Sequence, residues 1–122
     1  MTKVLLIEDE ELLLRMYRTK LELENFEVEI ATDGEEGLEK ARKFKPDLIL
    51  LDIIMPKLNG IGVLKEIKAD PELKGIPVVI LTNASVDVSI QECLELGALG
   101  YIVKSDNTPS QVVNQVRVFL MG

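Results

Sequence analysis

Five side chains able to do chemistry stand at matching places in this 122-residue chain, each at or just past the end of an apolar run. Glu8 and Asp9 follow residues 3–7 (KVLLI), and Asp52 closes residues 47–52 (DLILLD). Thr82 closes residues 76–82 (IPVVILT), and Lys104 follows residues 99–103 (LGYIV). Unbroken apolar runs bounded by turn formers are the signature of strands buried on both faces, as in parallel sheets. The carboxyl ends of such strands share one edge, and that edge is where ligands bind. Three carboxylates, a hydroxyl and an ammonium are therefore expected to converge. Clustered carboxylates raise one another's pKa unless a cation intervenes, and Mg²⁺, a hard ion preferring oxygen, relieves that cost. The ion keeps waters and leaves room for a phosphate oxygen, which Lys104 would meet as a point charge and Thr82 as a hydrogen-bond donor. The chemistry this set suits is phosphoryl transfer onto Asp52, because a carboxylate can act as nucleophile and the loose transition state needs mainly positioning and neutralised charge.

Composition narrows the alternatives. The length supports one domain with a real core, and 47% of the residues are apolar without any run that could span a membrane. The opening apolar run is too short for a signal peptide, so a soluble, cytoplasmic protein is expected. Cys93 is the sole cysteine; an internal disulfide is excluded and a reducing compartment fits. A formal charge of −7 argues against direct binding of nucleic acid. With no histidine in the chain, the commonest general base and metal ligand is missing.

The elements that must position these groups alternate along the chain. A helix is expected over 12–23, with Leu13, Met16, Tyr17, Lys20 and Leu21 at helical spacing and Asn25 as its stop. A short strand follows over 27–31. The next helix opens at Thr32-Asp33-Gly34, turns Gly37, Leu38 and Ala41 inward, and closes before Pro46. After the Asp52 strand and Pro56, an Asn59-Gly60 turn leads into a helix carrying Ile61, Val63, Leu64 and Ile67. A strand over 76–82 precedes a helix over about 86–96 that Gly97 ends. A fifth strand over 99–103 and a last helix from Pro109 to about Leu120 complete the order. Five β-α units in regular alternation imply a parallel sheet with helices on both faces.

Taken together, Glu8-Asp9, the Asp52-Ile53-Ile54-Met55-Pro56 segment with Gly60, Thr82, Gly97-Ala98, Tyr101 and Lys104 make the whole chain resemble the receiver domain of two-component response regulators. The resemblance implies a flavodoxin-like, doubly wound five-stranded parallel sheet of order 2-1-3-4-5 with five helices, as one receiver domain over 1–122. It implies that Asp52 takes a phosphoryl group from the phosphohistidine of a sensor kinase or phosphotransfer protein. It implies that Glu8, Asp9, Asp52 and the backbone carbonyl of Ile54 hold Mg²⁺ or Mn²⁺, and that Thr82 and Tyr101 report phosphorylation by moving. The output would be a changed surface on the fourth helix, fifth strand and fifth helix, read by a downstream protein effector, with no nucleic acid or membrane bound directly. The protein would be no enzyme beyond catalysing its own phosphorylation and dephosphorylation.

Three departures from the family pattern bear on this. Ser105 follows Lys104 where the family places a cis proline; a cis bond to a non-proline residue costs about 3 kcal/mol, which favours trans and a lysine less firmly aimed. Ile54 and Ala84 lie two residues beyond Asp52 and Thr82, and neither can orient an attacking water. A long-lived aspartyl phosphate is the expectation. The end at Met121-Gly122 leaves no room for an effector domain, as in a stand-alone receiver or one excised from a larger regulator. The last helix, with Arg117 as its only charge and Gln111, Asn114 and Gln115 outward, suggests a protein partner.

Rival readings are weaker on the same residues. Acids at strand ends serve as helix caps, and Glu8 and Asp9 also suit the positive start of a helix. A phosphatase with an aspartyl nucleophile needs a second acid where Ile54 stands. A flavodoxin-like cofactor binder needs a phosphate-cradling first loop where Glu8 to Glu11 would repel one. A degenerate receiver, folded and partner-binding but never phosphorylated, would have lost an acid or the lysine.

Overall fold

The computed structural model describes residues 1–53, 59–83 and 88–121, with the side chains of residues 88 and 89 outside the description. Five strands run parallel in the order β2-β1-β3-β4-β5: β1 (Lys3–Ile7), β2 (Glu27–Ala31), β3 (Leu48–Asp52), β4 (Val78–Thr82) and β5 (Gly100–Val103). The expected doubly wound order is the one observed. The central strands β3 and β4 are buried at every residue, as their continuous Leu, Ile and Val content requires. The edge strand β2 is less covered, with Val28 and Ala31 buried on opposite faces and Glu27 exposed.

Five α-helices occupy the described residues: α1 (Glu11–Leu23), α2 (Gly34–Phe44), α3 (Gly60–Ala69), α4 (Val88–Glu95) and α5 (Pro109–Met121). Two cores result, one on each face of the sheet. Leu5, Ile7, Ile49, Leu51, Val78 and Ile80 pack with the inner residues of α2, α3 and α4. Val4, Leu6, Leu48, Leu50, Val79 and Leu81 pack with α1 and α5 through Leu14, Tyr17, Leu21, Val112, Val113 and Val116. Burial of these side chains, worth about 1.5–3 kcal/mol each, is what locks the helices to the sheet.

Helix ends are set by local chemistry. Asp33 caps α2, accepting from the Glu36 N–H at 2.9 Å, while Glu36 Oε1 accepts in return from the Thr32 N–H at 2.7 Å. Asn59 caps α3 through Gly62 N–H at 3.0 Å. Asn25 (φ 68°), Lys45 (φ 52°) and Gly97 (φ 106°) take the left-handed conformation after α1, α2 and α4.

Three boundaries or faces differ from the sequence reading. The inner face of α1 is Leu14, Tyr17 and Leu21; Met16 is 40% exposed and Lys20 lies outside. Tyr17 and Leu21 face inward as expected and Leu13 packs at the margin of the same core; residues 12–14 are all leucine, so periodicity alone could not single out Leu14 as the fully buried one. β4 begins at Val78, because Pro77 has no N–H for the ladder. β5 starts at Gly100, and α4 is described only from Val88, so its expected start at 86 lies outside the described residues.

Candidate functional site

The carboxyl ends of β1, β3, β4 and β5 carry the five groups. Glu8 continues β1 by one step, its N–H donating to Ala31 O at 3.0 Å, and its side chain is fully buried. Asp52 is the last residue of β3 and Thr82 the last of β4; both are buried. In register, Asp52 lies beside Leu81, and Thr82 beside Val103, the residue before Lys104. Lys104 is also buried and opens a 3₁₀ turn, Lys104–Asp106. Asp9 alone of the acids is exposed.

The side chains meet. Lys104 Nζ donates to Glu8 Oε1 at 2.5 Å and stands 3.3 Å from Asp52 Oδ2. One carboxylate oxygen from each of Glu8, Asp9 and Asp52 lies within 4.8 Å of the others. Burial, and next the adjoining Asp52, push the Glu8 carboxyl up to about 8 in spite of Lys104. Burial, then the Asp52 charge, also raise Asp9. Burial would lower the Lys104 ammonium, but the carboxylates of Glu8 and Asp52 overcome it and hold it above its ordinary value. Three acids against one cation leave the pocket anionic.

This donor set fits a hard divalent ion. All its ligand atoms are carboxylate oxygens, and Glu8 Oε2 is buried with no hydrogen-bond partner among the described residues, an atom that a cation could engage once the acid gives up its proton. Asp9, on the solvent side, leaves a path by which an ion and its waters could enter.

Other expectations fare differently. The Ile54 carbonyl and Ala84 lie outside the described residues. Tyr101 pairs with Ile80 in register and is 38% exposed at the sheet edge, away from the acidic cluster's buried centre. No described peptide bond is cis, Lys104–Ser105 included. Gln111 is exposed, as expected, and bonds within its own helix start, whereas Gln115 is half-buried and bonds to Asn107. Gln111 Oε1 accepts from Thr108 N–H at 2.7 Å and its N–H donates to Thr108 Oγ1 at 3.2 Å, while Gln115 Nε2 donates to Asn107 Oδ1 at 2.7 Å. The Thr108-x-x-Gln111 spacing is a capping box legible in sequence; the Asn107 contact is not, since it depends on how α5 docks.

Gly60 shapes the site from below. Its N–H donates to Ile53 O at 2.7 Å, and a Cβ there would fall 2.3 Å from Asp52 O and 2.5 Å from Ile53 Cα. Only glycine lets the start of α3 lie against the end of β3.

The site is thus an acidic cluster with a buried lysine at the carboxyl edge of a doubly wound parallel sheet. Residues 4–117 match the family described as "Response regulator receiver domain", and the chain belongs to that family. Among curated proteins it is similar to "Response regulator ArlR" of Staphylococcus saprophyticus, 41% identical over 104 residues that make up 85% of this chain and 46% of that protein. It is similar also to "DNA-binding response regulator MtrA" of Mycolicibacterium paratuberculosis, 36% identical over 97% of this chain and 51% of that one. The chain thus spans about half the length of these curated relatives. Because the second is named as DNA-binding, the expectation of no direct nucleic-acid contact finds no support among the relatives and does not extend beyond the acidic composition of these 122 residues. Among solved structures, chemotaxis protein CheY4 of Vibrio cholerae matches with a TM-score of 0.90 at 31% identity, covering 98% of each chain. The Mn²⁺-bound form of response regulator Rcp1 matches at 0.84 and 32% identity, covering 98% of this chain and 94% of that one. No described helix is long and apolar enough to cross a membrane.

Proposed function

We propose that this domain is a phosphorylation-dependent switch whose acceptor is Asp52 and whose donor is a phosphohistidine on a sensor kinase or phosphotransfer protein. The observation that carries the reading is the meeting of Lys104 Nζ with Glu8 and Asp52 beside the exposed carboxylate of Asp9. One Asp52 oxygen attacks phosphorus, an O–P bond forms, the P–N bond to the donor imidazole breaks, and the imidazole leaves with its electron pair and takes up a proton. Glu8, Asp9 and Asp52 would hold Mg²⁺ or Mn²⁺, which supplies positive charge for the phosphoryl oxygens. Lys104 neutralises a further share, and its low exposure makes that charge count for more than it would in water. Thr82, buried at the end of β4, would donate its hydroxyl to a phosphoryl oxygen.

Output runs through the face formed by α4, β5 and α5. Tyr101 lies on β5 between them, with Leu94 and Leu99 also partly exposed. Phosphorylation shifts the population of arrangements of this face, and a downstream protein effector reads the shift.

Acetyl phosphate with Mg²⁺, followed by intact mass, tests the reading. The expected result is a gain of about 80 Da that Asp52→Asn abolishes and that EDTA prevents. No gain, or a gain surviving Asp52→Asn, overturns it and leaves a phosphorylation-independent interaction module.

A further inference from the structure

We propose that Asn107 is a positioning residue for Lys104, and that Gln115 holds it in that role. The inference rests on the reading of Lys104 as the cation facing a phosphoryl group on Asp52. Lys104 lies in a 3₁₀ turn that no proline stiffens, since Ser105 follows it. A buried ammonium on a four-carbon stem nonetheless reaches Glu8 and Asp52, and something must fix where that stem begins.

Asn107 ties down the peptide groups on both sides of Lys104. Its Nδ2 donates to Val103 O at 2.8 Å, the carbonyl of the peptide that enters Lys104. Its own N–H donates to Lys104 O at 3.3 Å, the carbonyl of the peptide that leaves it. With both planes held, the direction of the Lys104 Cα–Cβ bond has little freedom. The amide of Asn107 can do this in one orientation only, because Val103 O accepts and cannot donate. Gln115 enforces that orientation, its Nε2 donating to Asn107 Oδ1 at 2.7 Å. Gln115 lies on α5 between the buried Val113 and Val116 in sequence, in a helix whose start the Thr108–Gln111 pair caps and whose inner face is packed on the sheet. A chain of contacts therefore runs from the core of α5 to the Lys104 ammonium without passing through any acid of the site.

Three variants test this: Asn107→Ala, Asn107→Asp, which keeps the acceptor and loses the donor, and Gln115→Leu. Each is made alone and combined with Lys104→Gln. Initial rates of phosphorylation by acetyl phosphate with Mg²⁺ are expected to fall roughly 10-fold in the single variants, in line with the cost of misplacing a catalytic group. In the Lys104→Gln background the same changes should cause no further loss, because the residue they act through is gone. Losses of equal size in both backgrounds overturn the proposal. A second readout needs no phosphate: the ¹⁵N resonance of the Lys104 ammonium, identified by its disappearance in Lys104→Gln, should shift and broaden in all three variants. An unmoved resonance in folded Asn107→Ala overturns the proposal even where the rate falls. If Asn107→Ala fails to fold, Gln115→Leu decides by the same two measurements. Should the unaltered protein take no phosphate, the functional reading fails, while the resonance still judges Asn107.

Discussion

Lys104 Nζ donates to Glu8 at 2.5 Å but stands 3.3 Å from Asp52, across 96 and 52 residues of chain. The ammonium therefore lies nearer Glu8 than Asp52. On the proposed reading, the Asp52 carboxylate is the one that reaches phosphorus. The electrostatics of the resting pocket centre on Glu8.

The first prediction concerns pH. Glu8 holds its proton up to about 8 in the folded protein, against an ordinary value of 4.5. An acid whose folded value is raised favours folding in its protonated form, so its contribution is complete below about 4.5 and is lost as pH climbs to about 8. Asp9 shifts in the same direction and steepens the trend. Lys104, raised above 10.5, contributes a pH dependence only in more alkaline solution. Without divalent ions, the melting temperature should fall through this window, and Glu8→Gln should flatten the fall. Mg²⁺ should raise the melting temperature more at pH 8 than at pH 5, since it competes with the protons. A flat metal-free profile would contradict the buried position of Glu8.

Removing Lys104 should cost more than removing a surface lysine. Its side chain is 6% exposed and that of Glu8 is not exposed at all, so Lys104→Met leaves a buried acid facing another without a cation. The expected loss is about 3 kcal/mol at pH 9, read from urea unfolding, and less at pH 6, where Glu8 is protonated. By contrast Lys43→Met, which breaks an exposed i,i+4 pair with Glu39, should leave the urea midpoint essentially unchanged.

Two glycines make a matched comparison. A Cβ on Gly60 would collide with backbone at Asp52 and Ile53, which cannot rotate away, so Gly60→Ala should destabilise by about 2 kcal/mol or more. The same change at Gly75, where nothing lies within 4 Å, should be neutral within about 0.5 kcal/mol. Thermal melts of the pair check the contrast, and equal melting temperatures would show that the start of α3 yields to the side chain.

On the proposed reading, the lifetime of an Asp52 phosphate follows from what flanks that residue. Neither Ile54 nor Ala84 has a side chain able to orient water, so hydrolysis should proceed no faster than an unassisted acyl phosphate allows. Loss of the added mass followed over time should give a half-life of many minutes in the purified protein with Mg²⁺. A half-life of seconds would point to some other residue positioning the water.

The sequence by itself determined the order of elements, the parallel sheet and the five reactive side chains at its edge. Buried central strands must be apolar throughout, and their ends are marked by the first polar residue, so Asp52, Thr82 and Lys104 were legible where they stand. Gly97 and Asn25 marked helix ends for a similar reason, since a left-handed residue has few chemical choices. Tertiary structure alone decided the rest. Which leucine of residues 12–14 faced inward depended on the sheet surface that α1 meets, and Leu14 was chosen. That Lys104 prefers Glu8 to Asp52, that Gly60 abuts the acceptor's backbone, and that Gln115 turns inward to Asn107 are facts of docking distance. Periodicity records which side of an element is apolar, but tenths of an ångström between elements arise only when two surfaces have packed.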